Sequence, residues 1–306
     1  MAADPRRATE PPGSGDPAPR TLDAPPAELG EGPSYDPASG TAWWFDILGR
    51  RLYEHDLAQG TTRTHALPVM ASALARVDGA RQLLVAEDGL YLREVASGAL
   101  RLHRPLEAEN PATRSNDARV HPCGAFWIGT MGRAAEPGAG AIYWYFEGRL
   151  RQLYDRVSVP NAICFSPDGG IAYFADTPTG RIMRVAVEPS TGLPRGEPAR
   201  FDDGSGAGGP DGAVVDAEGL LWVARWGGGC LETYAPSGRR VRRLALPVSQ
   251  PTCPAFAGRG GSSLLVTSAR EGLTATQLAT EPEAGSTFRL DLELKGRAEP
   301  DVRISG

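Results

Sequence analysis

Three short segments each place an oxygen-bearing side chain beside a proline or a glycine. They are Glu31 in LGEGPSYD, Asn161 in VPNAICF and Asp211 in GGPDGAVV. Two carboxylates and one amide oxygen are hard donors, the kind of set that holds a divalent cation with open coordination positions. The three residues are far apart in the chain, so they act together only if a repeat brings them to one place. A shared offset from a turn points to such a repeat. Asp211 precedes Gly219 of DAEGLLW by eight residues, Asn161 precedes Gly169 of SPDGGIAYF by eight, and Glu31 precedes Gly40 of DPASGTAWW by nine. Asn116 stands eight before Gly124 and Arg81 eight before Gly89, while Thr252 or Cys253 takes the same place ahead of Gly260 and Gly261. A single Pro-Asp-Gly or Pro-Asn is ordinarily a turn signal. Asp168 in SPDGG is read that way, since a turn glycine and a strand follow it at once. Asp211 differs, because its segment has a separate turn, DAEG, further along.

The elements that would position these residues are short apolar runs such as TAWWFDI, AFWIGTM, AIYWYF, IAYFADT and LLWVARW, separated by turn residues. With 38 glycines, 27 prolines and no long helical pattern, the chain reads as all-β. There is no alternation of strand and helix that would build a parallel sheet. The turn-plus-strand unit recurs six times between residues 25 and 295, at intervals near the ~40–50 residues of a propeller blade. The expected fold is a six-bladed β-propeller with four-stranded antiparallel blades, closed by an N-terminal strand pairing with the last blade. The innermost strand of each blade then begins at one mouth of the central channel. Glu31, Asn161 and Asp211 would converge there, with Asn116 and Arg114 beside them.

Composition narrows the partners. The 306 residues include 23% charged side chains and carry a net charge of −5 with scattered arginines, which argues against nucleic acid. No apolar run reaches the ~18 residues of a membrane span. Residues 1–24, rich in Pro, Ala, Gly and charge, are expected to be a disordered leader, and residues 25–306 one propeller domain. The four cysteines have no C-x-x-C spacing and read as buried, reduced side chains, which implies a cytoplasmic protein. Gly204–Gly209 fits G-x-G-x-x-G, but Pro210 follows and no helix opens there, so a dinucleotide site is excluded. No G-x-S-x-G elbow is present. The four histidines, His55, His65, His103 and His121, read as turn or surface residues, and Trp43, Trp44, Trp127 and Trp222 as packing between blades. Trp226, among glycines, is a candidate for the channel mouth.

The segments LGEGPSYD, RSNDARVHPCGAFWIGTMG, VPNAICFSPDGGIAYFADT and GGPDGAVVDAEGLLWVA, with a weaker QPTCPAFAG, resemble the regucalcin/gluconolactonase (senescence marker protein-like) family of sugar lactonases. They follow the family's order from residue 28 to about 270. The resemblance implies a six-bladed propeller and one divalent metal ion, which could be Ca, Zn, Mn, Mg or Fe(II). It assigns the metal to Glu31, Asn161 and Asp211, the residues the repeat selects, and places substrate contacts on Arg114 and Asn116. Three departures stand out. Asn161 is followed by Ala162 where the family has glycine, and His121 replaces an aspartate before proline. Ala134 occupies the place of a substrate-binding glutamate found in some members, and Glu136, two residues on, does not inherit that role.

The expected reaction is opening of an aldonolactone of the gluconolactone or pentonolactone type to its aldonic acid. The metal would polarise the carbonyl and Asp211 would act as general base. The expected partner is thus a small sugar lactone, in a monomer or small homo-oligomer. Two alternatives are a related propeller esterase or organophosphatase, which would prefer a more apolar pocket, and a non-enzymatic metal-binding regulator. A protein-interaction scaffold would not need carboxylates and amides at one repeat offset.

Overall fold

The computed structural model describes residues 17–202 and 204–305. Among the described residues, twenty-four strands form six four-stranded antiparallel sheets, the six blades of a propeller. The innermost strands are Gly30–Asp36, Ala71–Arg76, Thr113–Val120, Pro160–Phe165, Gly209–Val215 and Pro251–Ala257, in blades one to six. They pack against one another around the axis. The outer strands, such as Thr61–Ala66, are largely exposed.

The near-continuous apolar runs follow from having a blade on either side. Side chains alternate across a strand, so successive residues enter different cores. In Thr41–Asp46, Trp43 and Phe45 enter a core shared with blade two, while Ala42 and Trp44 enter one shared with blade six. The same division fills six cores, one at each blade interface. Trp127 and Trp222 are likewise buried between blades.

The ring closes through the sixth sheet, whose outermost strand is Arg20–Thr21, paired antiparallel with Phe288–Asp291. Within the stretch expected as a leader, Leu22 N–H donates to Thr287 C=O and Ala24 packs against a core. Residues 1–16 of that leader lie outside the described residues. Among the described residues, the one α-helix is Ala275–Thr280, and no helix is long and apolar enough to cross a membrane.

A strap covers the face of the ring opposite the strand starts. Arg297 donates to the carbonyls of Phe165 and Val215, Glu299 pairs with Arg119, Asp301 with Arg76, and Arg303 N–H donates to Gly124 C=O. One segment thus ties together blades two to five.

One histidine expectation needs correcting: His55 is a buried strand residue bonded to Thr62. His121, also buried, is the expected turn residue, its C=O accepting from Gly124 N–H and its ring bonded to Gly169 C=O. The four cysteines are free, three of them buried.

Candidate functional site

Every innermost strand breaks its pairing register near its start. The shift falls between Glu31 and Ser34, Ala71 and Ala73, Ser115 and Ala118, Asn161 and Cys164, Pro210 and Ala213, and Pro251 and Pro254. A β-bulge adds a residue and re-aims the side chains around it. Here it occurs six times at one mouth of the channel, beside or at Glu31, Ser72, Asn116, Asn161, Asp211 and Thr252. Backbone sterics allow it locally. Gly32 has φ +56° with Ser72 C=O where a Cβ would lie, and Ala162 takes a left-handed φ of 53°.

The register brings the expected residues together. Glu31, Asn161, Asp211, Arg114 and Asn116 all line one open-ended pocket of about 350 Å³ and are 4–7% exposed. Arg81 does not join them: it begins the second strand of blade two and pairs with Asp78 at the surface. Gly89 opens that blade's third strand, so counting back from it lands one strand too far out. The equivalent residue is Ser72, reached from Gly79, and its hydroxyl donates to Ser115 Oγ at 2.8 Å.

A relay of hydrogen bonds fixes which way the amides point. Thr177 Oγ1 lies 2.8 Å from Pro210 C=O, which can only accept, so the hydroxyl donates there. It must then accept from Asn161 Nδ2, also at 2.8 Å, leaving Asn161 Oδ1 directed away from Thr177. Asn116 Nδ2 donates to that Oδ1 and to Pro160 C=O, both at 3.0 Å, while Asn116 Oδ1 accepts from Arg114 at 3.0 Å. One lone pair of Asn161 Oδ1 is left over.

The electrostatics are those of a site short of positive charge. Burial, then Asp117, pushes Glu31 up to about 8. Burial, then Glu31 and Asp117, pushes Asp211 well above the carboxylate range. Arg114 is lowered by burial, with Glu271 and Glu31 opposing. Beneath them Asp117 accepts from Ile163 N–H at 2.7 Å, and burial raises it to about 6 with Arg119 opposing. Two buried carboxylates that favour protonation, with an amide oxygen beside them, form an oxygen-only set whose protons a divalent cation can replace. The residues fit such an ion. Among the described residues no group of three or more His, Cys, Asp or Glu converges, so the set owes its third donor to the amide.

Other pocket residues had no signal in the repeat. Thr177, the hinge of the relay, lies just past the second strand of blade four, and Glu271 comes from the long connection after the second strand of blade six. Arg133 reaches the pocket wall, but its guanidinium is held by Pro111 C=O and Glu87. Trp226 does line the mouth. Ala134 lines the pocket, whereas the Glu136 carboxylate turns back to accept from Ala134 N–H at 3.1 Å. Asp168 is a turn residue, accepting from Ser166 Oγ and Gly170 N–H.

Known proteins resemble this chain over most of its length. The SMP-30/Gluconolactonase/LRE-like region matches residues 29–270. A solved structure from Agrobacterium tumefaciens strain C58, described as a calcium-binding protein, regucalcin, is 53% identical with a TM-score of 0.92, over 94% of this chain and 97% of that one. An L-arabinolactonase of Azospirillum brasilense is 34% identical over 85% of this chain and 87% of its own length. A 6-deoxy-6-sulfogluconolactonase of Pseudomonas putida is 33% identical over 90% and 95%. With a family match spanning residues 29–270 and close relatives covering the greater part of its length, the chain belongs to the SMP-30/gluconolactonase/LRE-like family.

Proposed function

We propose that this protein is a metal-dependent sugar lactonase of carbohydrate catabolism, which hydrolyses an aldonolactone to the aldonic acid. The observation that carries this reading is the meeting of Glu31, Asn161 and Asp211, from three blades, in one pocket with Arg114 and Asn116. Lactonase names among the relatives support the reaction class, and the calcium-binding description of the Agrobacterium protein supports a divalent ion.

Glu31, Asn161 and Asp211 would hold the cation, which when bound supplies Lewis-acid polarisation of the lactone carbonyl. Asp211 accepts the proton of the attacking water through one carboxylate oxygen. Water oxygen bonds to the carbonyl carbon, the ring C–O bond breaks, and the ring oxygen leaves as a hydroxyl by taking the proton that Asp211 accepted. Arg114 donates to ring and hydroxyl oxygens, while Asn116, whose two amide hydrogens go to Pro160 C=O and Asn161 Oδ1, offers its own Oδ1 to accept from a substrate hydroxyl. The donors around the pocket favour a hydroxylated substrate over an apolar ester. Free thiols fit a reducing cytoplasm.

The test is acid release from a panel of glucono-, xylono-, arabinono- and galactonolactones. Chelator-stripped protein would be refilled separately with calcium, zinc, manganese, magnesium or ferrous iron. Cation-dependent opening of at least one lactone is expected; no opening with any ion would end this reading.

A further inference from the structure

The pocket holds a third carboxylate besides Glu31 and Asp211, that of Glu271. Its backbone is pinned. Arg270 N–H and Glu271 N–H both donate to Glu28 C=O at 2.9 Å, and Gln250 Nε2 donates to Glu271 C=O at 3.0 Å. Just beyond, the helix Ala275–Thr280 begins with a reciprocal Thr274–Gln277 cap, which anchors the far side of the segment. The Glu271 carboxylate itself makes no hydrogen bond or ion pair among the described residues.

Half-buried and unpaired, this carboxylate feels two charged neighbours, Arg114 and the like-charged Glu28. Burial raises its pKa, and Arg114 is the positive group that opposes the rise. Glu271 is likewise the foremost acidic neighbour of Arg114. The two interact across the pocket without closing an ion pair. A donor held by Ser115 C=O and Asn116 Oδ1 and an unpaired acceptor lining the same pocket match a group that can both accept and donate, which is what a hydroxyl does. A polyhydroxylated ring would bridge them, whereas an anionic substituent on that side would meet like charge.

We propose that Glu271 is a specificity-determining residue of this site, its carboxylate accepting hydrogen bonds from hydroxyl groups of the bound lactone opposite the donating Arg114. This rests on the lactonase reading and specifies its substrate as uncharged and polyhydroxylated on the side facing blade six.

The test compares kcat and KM for gluconolactone and for unsubstituted valerolactone, using cation-loaded wild type, Glu271→Gln and Glu271→Asp. For Glu271→Gln, kcat/KM on gluconolactone should fall about 10- to 100-fold, chiefly through KM, because charge-assisted acceptors are lost. Valerolactone turnover should stay within about twofold, since it has no hydroxyl to lose. Glu271→Asp, which keeps the charge on a shorter stem, should fall between. Failure of the wild type to open any hydroxylated lactone would remove the reading beneath this proposal, and the proposal with it. Normal wild-type activity with an unchanged gluconolactone-to-valerolactone ratio in both variants would overturn the role of Glu271 alone.

Discussion

Asp211 and Glu31 share a buried mouth in which burial opposes both charges. Glu31 has its pKa raised from 4.5 to about 8, so the folded state keeps a proton that the unfolded chain has lost. Stability from this group is present in full below pH 4.5 and falls as pH rises to about 8. A cation held by the same oxygens replaces the proton and reverses the penalty. Added calcium or manganese should therefore raise the melting temperature of chelator-stripped protein more at pH 8 than at pH 5, as thermal melts at the two pH values would show. Equal shifts would mean that the ion binds elsewhere. Asp211→Asn keeps the shape but removes the charge and the base, and should lower kcat by about 10²- to 10⁴-fold. Wild-type turnover in that variant would exclude the proposed role.

The recurring element is the bulged inner strand, and its register explains how much of the site can be read from sequence. In blades three, four and five the inner hairpin turn is short and ends in glycine, so counting back from Gly124, Gly169 and Gly219 reaches Asn116, Asn161 and Asp211. In blade two the prominent EDGLY turn joins the second and third strands, and the same count reaches the half-buried Arg81. Turn chemistry marks a hairpin without saying which one. Glu271 was illegible for another reason: it sits in a connection unique to blade six, where no repeat supplies a register. The bulge also makes a stability prediction. Gly32 and Gly60 both have positive φ, but a Cβ on Gly32 would lie 2.1 Å from Ser72 O, whereas nothing lies within 4 Å of one on Gly60. Gly60→Ala should cost about 1 kcal/mol for the left-handed backbone. Gly32→Ala should cost at least about 2 kcal/mol more, because the obstacle is backbone of the next blade. Urea unfolding of the pair separates the two contributions.

At the scale of the whole molecule, six interfaces, one strand closure and the strap hold the ring. The blade count and the N-terminal closure follow from the repeat and its alternating apolar runs. The strap over the far face does not, because residues 295–305 lack both period and apolar pattern. Its strongest tie is Glu299 to Arg119, at 2.7 Å, with the arginine side chain 9% exposed. Arg119 also donates to Ala213 C=O and reaches Cys253 Sγ in the channel. Glu299→Ala leaves that guanidinium without its carboxylate and should cost about 2–3 kcal/mol in denaturant unfolding. Glu299→Gln, which can still accept a hydrogen bond, should cost less. Loss of stability confined to other blades would contradict this coupling.

The sixth sheet also imposes an order of events during synthesis. Arg20 and Asp291, paired in the finished ring, are 271 residues apart, so the first strand waits as a bare edge while the ribosome makes nearly everything else. Throughout that wait Trp44 and Tyr53 lack the cover of Ala257 and Leu265, which belong to the last blade. A stalled or truncated chain would present both an unpaired strand and an aromatic patch to its surroundings. Such an unfinished product is a natural client for a chaperone, whereas the completed ring is not.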